Sequence, residues 1–370
     1  MYLPRRNILR RTLLWAACGL ALTPPTQAQI KTAEETPYLR FGETIVTRYQ
    51  VGATVKARNG PVQDLLAMVA IPFTCPEQEV EIVEQDVTPQ VDKVDYRPLG
   101  AFAEGGARQM LITIPYLPGG EEARAIVTFE VRTRTILPPE ETDSLAIPTK
   151  PDRELKRFLG KSPFIETNHA KIKKTLREIE ASNPPPSKVS TGDSLRRGGA
   201  RGGIESSEAA KPSESETNAE TETPPFSAWR RVEAIYLYVQ DHVAYVEGPD
   251  KSAVKTLDDA SGDCQNISAL FVALCRTAGV PARIVWVHEH NYAEFCLVDP
   301  EDRPHWFPCE SSGTRAFGEM PLARTILQKG DSFTVPERPR ERLRYASDFF
   351  ISLPVPGSGN PSARYIRNQL

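Results

Sequence analysis

The chain has 370 residues, a formal net charge of −3 and 33 prolines. This length exceeds one typical domain and fits two. So small a charge gives no basis for nucleic-acid binding, and beyond the N-terminal segment no apolar stretch is long enough to span a bilayer.

Residues 1–28 resemble a bacterial export signal. Arg5 and Arg6 precede the short apolar run Thr12–Leu22, and the small residue Ala28 then offers a cleavage site. Basic, apolar and small residues in this order are typical of exported proteins, and the arginine pair resembles the twin-arginine pattern. We therefore expect a periplasmic or secreted protein.

Residues 40–140 are predicted to form a β-sandwich. Apolar residues alternate with polar ones from Val51 to Ala57 and again from Ala125 to Val131, which is the period of a half-buried strand. Further short apolar runs are separated by turns rich in proline and glycine. This part of the sequence contains no catalytic pattern.

Residues 155–353 are predicted to form a second domain with an interruption. Apolar residues recur at helical spacing in 166–181 and from Val232 to Val243. Between these helices, residues 183–226 consist mainly of Ser, Gly, Pro and charged residues, which bury too little apolar surface to offset the entropy of ordering. We predict a disordered insertion there, and a flexible tail at 354–370.

A cysteine precedes the most apolar predicted helix of this domain. The helix is indicated by residues at helical spacing: Ile267, Leu270, Phe271 and Leu274. Gly279 and Pro281 predict its C-terminal end. Cys264 then lies in the first turn, where unpaired backbone N–H groups and the helix dipole favour a reactive thiolate. The alternative is a small buried residue with no chemical role.

Three short β-like runs follow the helix, at Arg283–Val287, His290–Val298 and Trp306–Glu310. A thiol on a helix, an imidazole on a strand and a carboxylate on the next strand are typical of a Cys-His-acid triad. In such a triad the histidine takes the thiol proton, and the acid fixes the tautomer and orientation of the imidazole. By this reasoning alone, His288, His290 and His305 are equal candidates for the base.

The three motifs resemble those of the transglutaminase-like superfamily, whose fold is papain-like. They read GDCQNISALFVALCRTAGVPAR from Gly262, HNYAE from His290 and WFPCE from Trp306. The resemblance implies that Cys264 is the nucleophile, His290 its base and Glu310 the orienting acid. The family normally has aspartate where this chain has Glu310. The implied fold is α+β, in which the N-terminal β-sandwich is followed by a helix that bears the cysteine and packs on an antiparallel sheet.

The resemblance predicts an exported cysteine enzyme that cleaves or transfers amide bonds of a peptide or protein through a thioester, with hydrolysis favoured. No cofactor is implied. The oxyanion would be bound by the backbone N–H of Cys264 and by a second donor, for which Tyr245 is a candidate. The alternative from another class is a catalytically silent binding or scaffold module. A metal site at His288, His290, His305 and Cys309 is a further alternative, but it leaves Cys264 and Glu310 without a role.

Removal of residues 1–28 leaves an odd number of cysteines: Cys75, Cys264, Cys275, Cys296 and Cys309. At least one thiol is then free. Cys296 and Cys309 lie on neighbouring predicted strands, so the sequence leaves a disulfide between them open. Cys264 is expected to be free.

Overall fold

The computed structural model of the protein describes residues 35–100, 106–183, 227–353, 357 and 359–370. The predicted export signal lies outside these residues, as does nearly all of the predicted insertion at 183–226. Both stay predictions. No helix in the described ranges is long and apolar enough to cross a membrane.

In the described residues, six strands come first, and the helices all lie between residues 153 and 277. The helices are α1 (Arg153–Arg157), α2 (Ala170–Ser182), α3 (Ala228–His242), α4 (Ala253–Asp259) and α5 (Cys264–Thr277). The strands are β1 (Arg40–Arg58), β2 (Val62–Ile71), β3 (Gln78–Val87), β4 (Lys93–Leu99), β5 (Gly106–Leu117), β6 (Glu122–Leu137), β7 (Ala244–Tyr245), β8 (Ser261–Gly262), β9 (Ala282–Val287), β10 (His290–Val298), β11 (Pro304–Glu310), β12 (Ala316–Phe317), β13 (Ile326–Lys329), β14 (Phe333–Val335), β15 (Arg338–Leu343), β16 (Phe349–Leu353) and β17 (Asn360–Gln369). The fold is α+β, as the sequence predicted.

The N-terminal region consists of strands that pack as two sheets. One sheet has the order β17-β1-β6-β3, and the other contains β2, β4 and β5. Val51, Ala53 and Val55 of β1 are each at most 1% exposed, as their alternation predicted, and they share a hydrophobic cluster with Leu65 and Ile112 of the facing sheet. At Gly52, a Cβ would lie 2.2 Å from the backbone oxygen of Ala125, so only glycine allows β1 and β6 to come this close.

The second sheet continues into the predicted catalytic region. Its order is β12-β11-β10-β9-β13-β5-β2-β16, and β4 pairs with β5. Strand β13 makes the connection, since Gln328 pairs with Ala107 of β5 on one side and with Trp286 of β9 on the other. The regions that the sequence separated at residues 140 and 155 therefore share one sheet, and residues 35–370 form one compact unit.

The C-terminal residues are ordered as a strand, so the flexible tail predicted for residues 354–370 is wrong over residues 360–369. Strand β17 pairs antiparallel with β1, from Asn360 opposite Arg58 to Gln369 opposite Tyr49. The sequence NPSARYIRNQ has little apolar alternation because most of its side chains are exposed or half-buried. Its order comes from backbone hydrogen bonds to β1, which local polarity does not reveal.

Helix α5 is the centre of the second hydrophobic core. Ile267, Leu270, Phe271 and Leu274 are each at most 2% exposed, as their spacing predicted. The helix ends at the predicted glycine. Gly279 has φ of +82°, and the N–H groups of Gly279 and Val280 donate to the carbonyls of Arg276 and Cys275. This is a Schellman motif, in which a glycine satisfies the last helical carbonyls.

A buried charge network joins the N-terminal strands to the sheet that packs on α5. Lys329 donates to Glu77 and, at 2.7 Å, to Glu294, which accepts a further hydrogen bond of 2.7 Å from Arg283. The Arg283 guanidinium lies 3.8 Å from the ring centre of Trp306. Burial lowers the pKa of Lys329, but the charges of Glu294 and Glu77 outweigh this and raise it. Glu294 of the HNYAE motif is therefore structural.

We expect Lys329→Met to destabilise the protein by about 3–5 kcal/mol, because it leaves the buried carboxylate of Glu77 without its cation and removes one of two cations from Glu294. Urea unfolding followed by circular dichroism measures the change. Lys173→Met, on the exposed side of α2, is the control and should change stability by less than about 0.5 kcal/mol. A Lys329→Met protein as stable as the control would contradict this account.

Candidate active site

Cys264 is the first residue of α5. The N-cap is Asp263, whose Oδ1 accepts a hydrogen bond of 2.9 Å from the N–H of Asn266. The Asp263 carboxylate thus satisfies a backbone donor of the first turn. Cys264 is half-buried and its thiol is free. The unpaired N–H groups at this end of the helix favour negative charge on the sulfur.

His290 and Glu310 lie at adjacent ends of two paired strands. His290 begins β10 and Glu310 ends β11, and Ala293 pairs with Cys309. Continuing this register by one step puts Glu310 opposite Tyr292, so its carboxylate reaches His290 diagonally. The Nε2 of His290 lies 2.6 Å from Oε2 of Glu310. Nδ1 of His290 is not used by Glu310, and His290 and Cys264 line the same cavity.

The carboxylate of Glu310 is held on both oxygens. Oε1 accepts hydrogen bonds from the backbone N–H and the hydroxyl of Ser312, at 3.0 and 3.1 Å. Oε2 lies 3.4 Å from a guanidinium nitrogen of Arg324 in addition to its bond with His290. The residue is 2% exposed, and the Tyr236 hydroxyl donates to its backbone carbonyl. The longer side chain that departs from the family pattern is therefore fixed in place.

The surroundings of His290 favour its protonated form. Burial lowers its pKa, but the hydrogen bonds to Cys264 and Glu310, together with the negative charges of both groups, raise it to about 9. At neutral pH His290 is then an imidazolium, which can stabilise a thiolate and later give a proton to a leaving group.

Asn291 is a site residue that sequence reasoning missed. Its Nδ2 donates to the sulfur of Cys264 at 3.4 Å, and the residue is 1% exposed. Its Oδ1 is buried and has no hydrogen-bond partner among the described residues. The position follows His290 in HNYAE, and regular alternation puts the two side chains on opposite faces of a strand. A contact of both with Cys264 was therefore unexpected.

Tyr245, the sequence-based candidate for the second oxyanion donor, lies near the nucleophile. Strand β7 pairs in parallel with β8, and Tyr245 lies opposite Gly262, two residues before Cys264. Its side chain is largely exposed. Its pKa is raised by partial desolvation and by the negative charge of Cys264. The role of Tyr245 as an oxyanion donor stays a prediction.

A cavity of about 470 Å³ opens beside the sulfur. Cys264, His290 and Asn291 are among its lining residues. The lining also includes Tyr49 of β1 and Arg367 of β17. Both strands belong to the N-terminal sheet, so the β-rich region contributes directly to the space in which a substrate of Cys264 would lie.

The rival histidines have other partners. Nδ1 of His288 lies 3.1 Å from the hydroxyl of Tyr49, and Nε2 of His305 lies 2.9 Å from the carboxylate of Asp299. The Asp299 carboxylate also accepts a hydrogen bond of 2.7 Å from Nε of Arg303. Asp299 therefore stabilises the turn between β10 and β11 and does not bond the imidazole of His290. Within the described ranges, no group of three or more His, Cys, Asp or Glu residues is arranged to hold a metal ion.

All five described cysteines are free thiols. Cys296 lies opposite Trp306, and Cys309 lies opposite Ala293, so the two cysteines are three positions out of register. The disulfide that the sequence left open is absent between them. Cys264 is also the one cysteine of the five that is not fully buried.

The chain is similar to known proteins in part of its sequence and in its fold. Residues 215–319 match the model of the transglutaminase-like superfamily. A crystal structure of a "putative cysteine protease" from Cytophaga hutchinsonii superposes with a TM-score of 0.51 at 14% identity, covering 90% of this chain and 93% of that one. A "putative protease" from Parabacteroides distasonis matches with a TM-score of 0.24 at 11% identity, over 75% of this chain and 48% of that one.

No curated protein sequence matches the chain significantly. The Cytophaga structure shows that nearly the whole fold occurs elsewhere. The residue pattern around Cys264, His290 and Glu310 lies inside the matched segment. The chain therefore carries a transglutaminase-like domain over residues 215–319.

Proposed function

We propose that this protein is a cysteine enzyme that cleaves amide bonds of peptides or proteins through a thioester on Cys264. The observation that carries the proposal is the His290 imidazole, which lines one cavity with Cys264 and bonds at 2.6 Å to the buried carboxylate of Glu310. The name of the Cytophaga neighbour, a putative cysteine protease, agrees with this class of reaction.

The proposed reaction has two halves. The thiolate of Cys264 attacks the carbonyl carbon, and the C–N bond then breaks as the amine leaves with the proton of the His290 imidazolium. The acyl group remains on sulfur as a thioester. Neutral His290 next takes a proton from water, whose oxygen attacks the thioester and releases the carboxylic acid and the thiolate. A second amine in place of this water would give transamidation; we favour hydrolysis, as the family resemblance suggests.

Alkylation by iodoacetamide tests the activated thiolate. We expect Cys264 in the parent protein to react at pH 6 at least about tenfold faster than in His290→Ala, because the imidazolium stabilises the thiolate. Mass spectrometry of the digested protein identifies the alkylated residue. Equal rates in the two proteins would contradict the proposal and favour a catalytically silent module. Incubation with a peptide library then distinguishes hydrolysis, which adds water to the acyl fragment, from transfer to an added amine.

Asn291 should support the reacting sulfur. We expect Asn291→Ala to lower kcat/KM by about 10- to 100-fold, since a hydrogen bond to a charged group contributes about 1.5–3 kcal/mol. Asn291→Asp should lower it further because it puts a second negative charge beside the thiolate. Steady-state kinetics on a cleaved peptide measures both, and Asn291→Ala with the parent rate would exclude this role.

We further propose that residues 1–28 direct twin-arginine export, with Arg5 and Arg6 as the recognised pair. Arg5→Lys/Arg6→Lys should leave the full-length chain in the cytoplasm of a bacterial host. Cell fractionation measures the location, and unchanged export of this variant would exclude the twin-arginine route.

A further inference from the structure

A second cavity, of about 500 Å³, lies among residues that the proposed chemistry does not use. It is bounded by the end of α1, the loop at 158–163, the turn after β13 and strand β15. None of its lining residues lines the cavity beside Cys264. Its volume is in the range of sites that hold small molecules.

Exposed basic side chains form part of the rim of this cavity. Lys156, Lys161 and Arg342 are exposed lining residues, and none of them forms an ion pair with a described carboxylate. Arg157 lines the same cavity. Burial lowers the pKa of Arg157, and the negative charge of Glu154 partly opposes this effect. The positive charge of Arg342 lowers the pKa further, so the guanidinium groups of Arg157 and Arg342 lie close enough to repel each other.

The one acidic lining residue, Asp331, is already paired with a buried guanidinium, and its charge also favours the cationic form of Arg157. Both of its oxygens accept hydrogen bonds from the buried guanidinium of Arg276, at 2.7 and 3.0 Å. Lys329 also lines the cavity, but Glu77 and Glu294 neutralise it. Among the described lining residues, the positive charge without an ion-pair partner therefore comes from Lys156, Lys161 and Arg342.

The frame of the cavity is fixed by buried contacts. Besides holding Asp331, Arg276 donates to the carbonyl of Gly160 at 2.9 Å and to the hydroxyl of Ser162 at 3.0 Å, which anchors the loop at 158–163. Arg342 donates to the hydroxyl of Ser332 at 3.2 Å, which orients its guanidinium. The cations are thus presented on a rigid support, which lowers the entropy lost when a ligand binds.

We propose that this cavity binds a small oxyanion carrying at least two negative charges, such as a phosphorylated or polycarboxylated molecule. Guanidinium and ammonium groups form charge-assisted hydrogen bonds with phosphate and carboxylate oxygens. A multivalent anion would neutralise several cations at once and remove the repulsion among them. The site shares no lining residue with the cavity beside Cys264.

Isothermal titration calorimetry of the full chain with pyrophosphate and with citrate, at constant ionic strength set by sodium chloride, tests the proposal. We expect saturable binding of at least one of the two anions. Lys161→Gln/Arg342→Gln should raise its Kd at least about tenfold. Lys150→Gln/Arg340→Gln removes the same charge from exposed residues outside the cavity and should leave Kd within about twofold.

The two probes also identify the chemistry of the ligand. Binding of pyrophosphate alone would assign a phosphate site, and binding of both would assign a general oxyanion site. Thermal unfolding is a second measurement: pyrophosphate or citrate should raise the Tm of the parent protein and not that of Lys161→Gln/Arg342→Gln. Absence of saturable binding, or an equal loss in both double variants, would overturn the proposal.

Discussion

Cys264→Ala is expected to abolish amide cleavage, with a loss on the order of 10⁶-fold in kcat, because no other group can form the acyl intermediate. The fold should remain, since Cys264 is half-buried at a helix end and its side chain contributes little to the core. Hydrolysis of a peptide identified from the library measures the loss, and thermal unfolding verifies the fold.

Cys75→Ala is the matched control for this change. Cys75 is buried, and burial raises its pKa well above that of an ordinary thiol, so it cannot act as a nucleophile at neutral pH. This variant should keep the parent rate per folded molecule. If Cys264→Ala retained that rate as well, Cys264 would not be the nucleophile.

Glu310→Gln is expected to lower kcat/KM by about 10- to 10³-fold while the fold persists. A neutral amide at this position cannot stabilise the His290 imidazolium, and the corresponding change in a serine enzyme costs about 10⁴-fold. A smaller loss is expected here because the thiolate itself also stabilises the imidazolium. Glu310→Asp should retain more activity than Glu310→Gln because it keeps the charge.

The pH profile of Glu310→Gln provides a second measurement. Burial lowers the pKa of His290, but the interactions with Cys264 and Glu310 together raise it to about 9, so removal of the Glu310 carboxylate should lower this pKa. Proton donation to the leaving amine requires the imidazolium. The rate of the parent should therefore fall as pH rises through about 9, and that of the variant should fall at lower pH.

Asp299→Asn tests the specificity of this result. Asp299 is the other buried carboxylate that bonds a histidine, but its partner is His305. This change should leave both the rate and the alkaline limb of the pH profile unaltered. If Glu310→Gln matched the parent in rate and pH profile, Glu310 would not be the orienting acid.

The sequence by itself determined those helices and strands whose formation depends mainly on residues close together in the chain. The spacing of Ile267, Leu270, Phe271 and Leu274 predicted α5, and Gly279 predicted its end, because helix periodicity and termination depend on neighbouring residues. The alternation in β1 predicted its buried face for the same reason. The α+β fold class follows from these patterns together with the resemblance of the three motifs.

The tertiary structure shows what each of the three candidate histidines contacts, which residue types and spacing had left open. His288, His290 and His305 differ by strand register and by the partners that each side chain finds, and these depend on contacts distant in sequence. The contact of Asn291 with the sulfur has the same origin. Residue types and spacing alone could not choose the histidine, which only the HNYAE resemblance favoured, and they could not reveal Asn291, because the distance between a helix and a strand is set by how they pack.

Tertiary contacts also decide how far the sheet extends and whether the C-terminal residues form a strand. Strand β17 is ordered by β1, some 300 residues earlier in the sequence, and β13 joins the two regions that composition had separated. Backbone hydrogen bonds make both connections, and every residue except proline can offer them. Side-chain polarity alone therefore predicted a tail and a domain boundary where the structure has a continuous sheet.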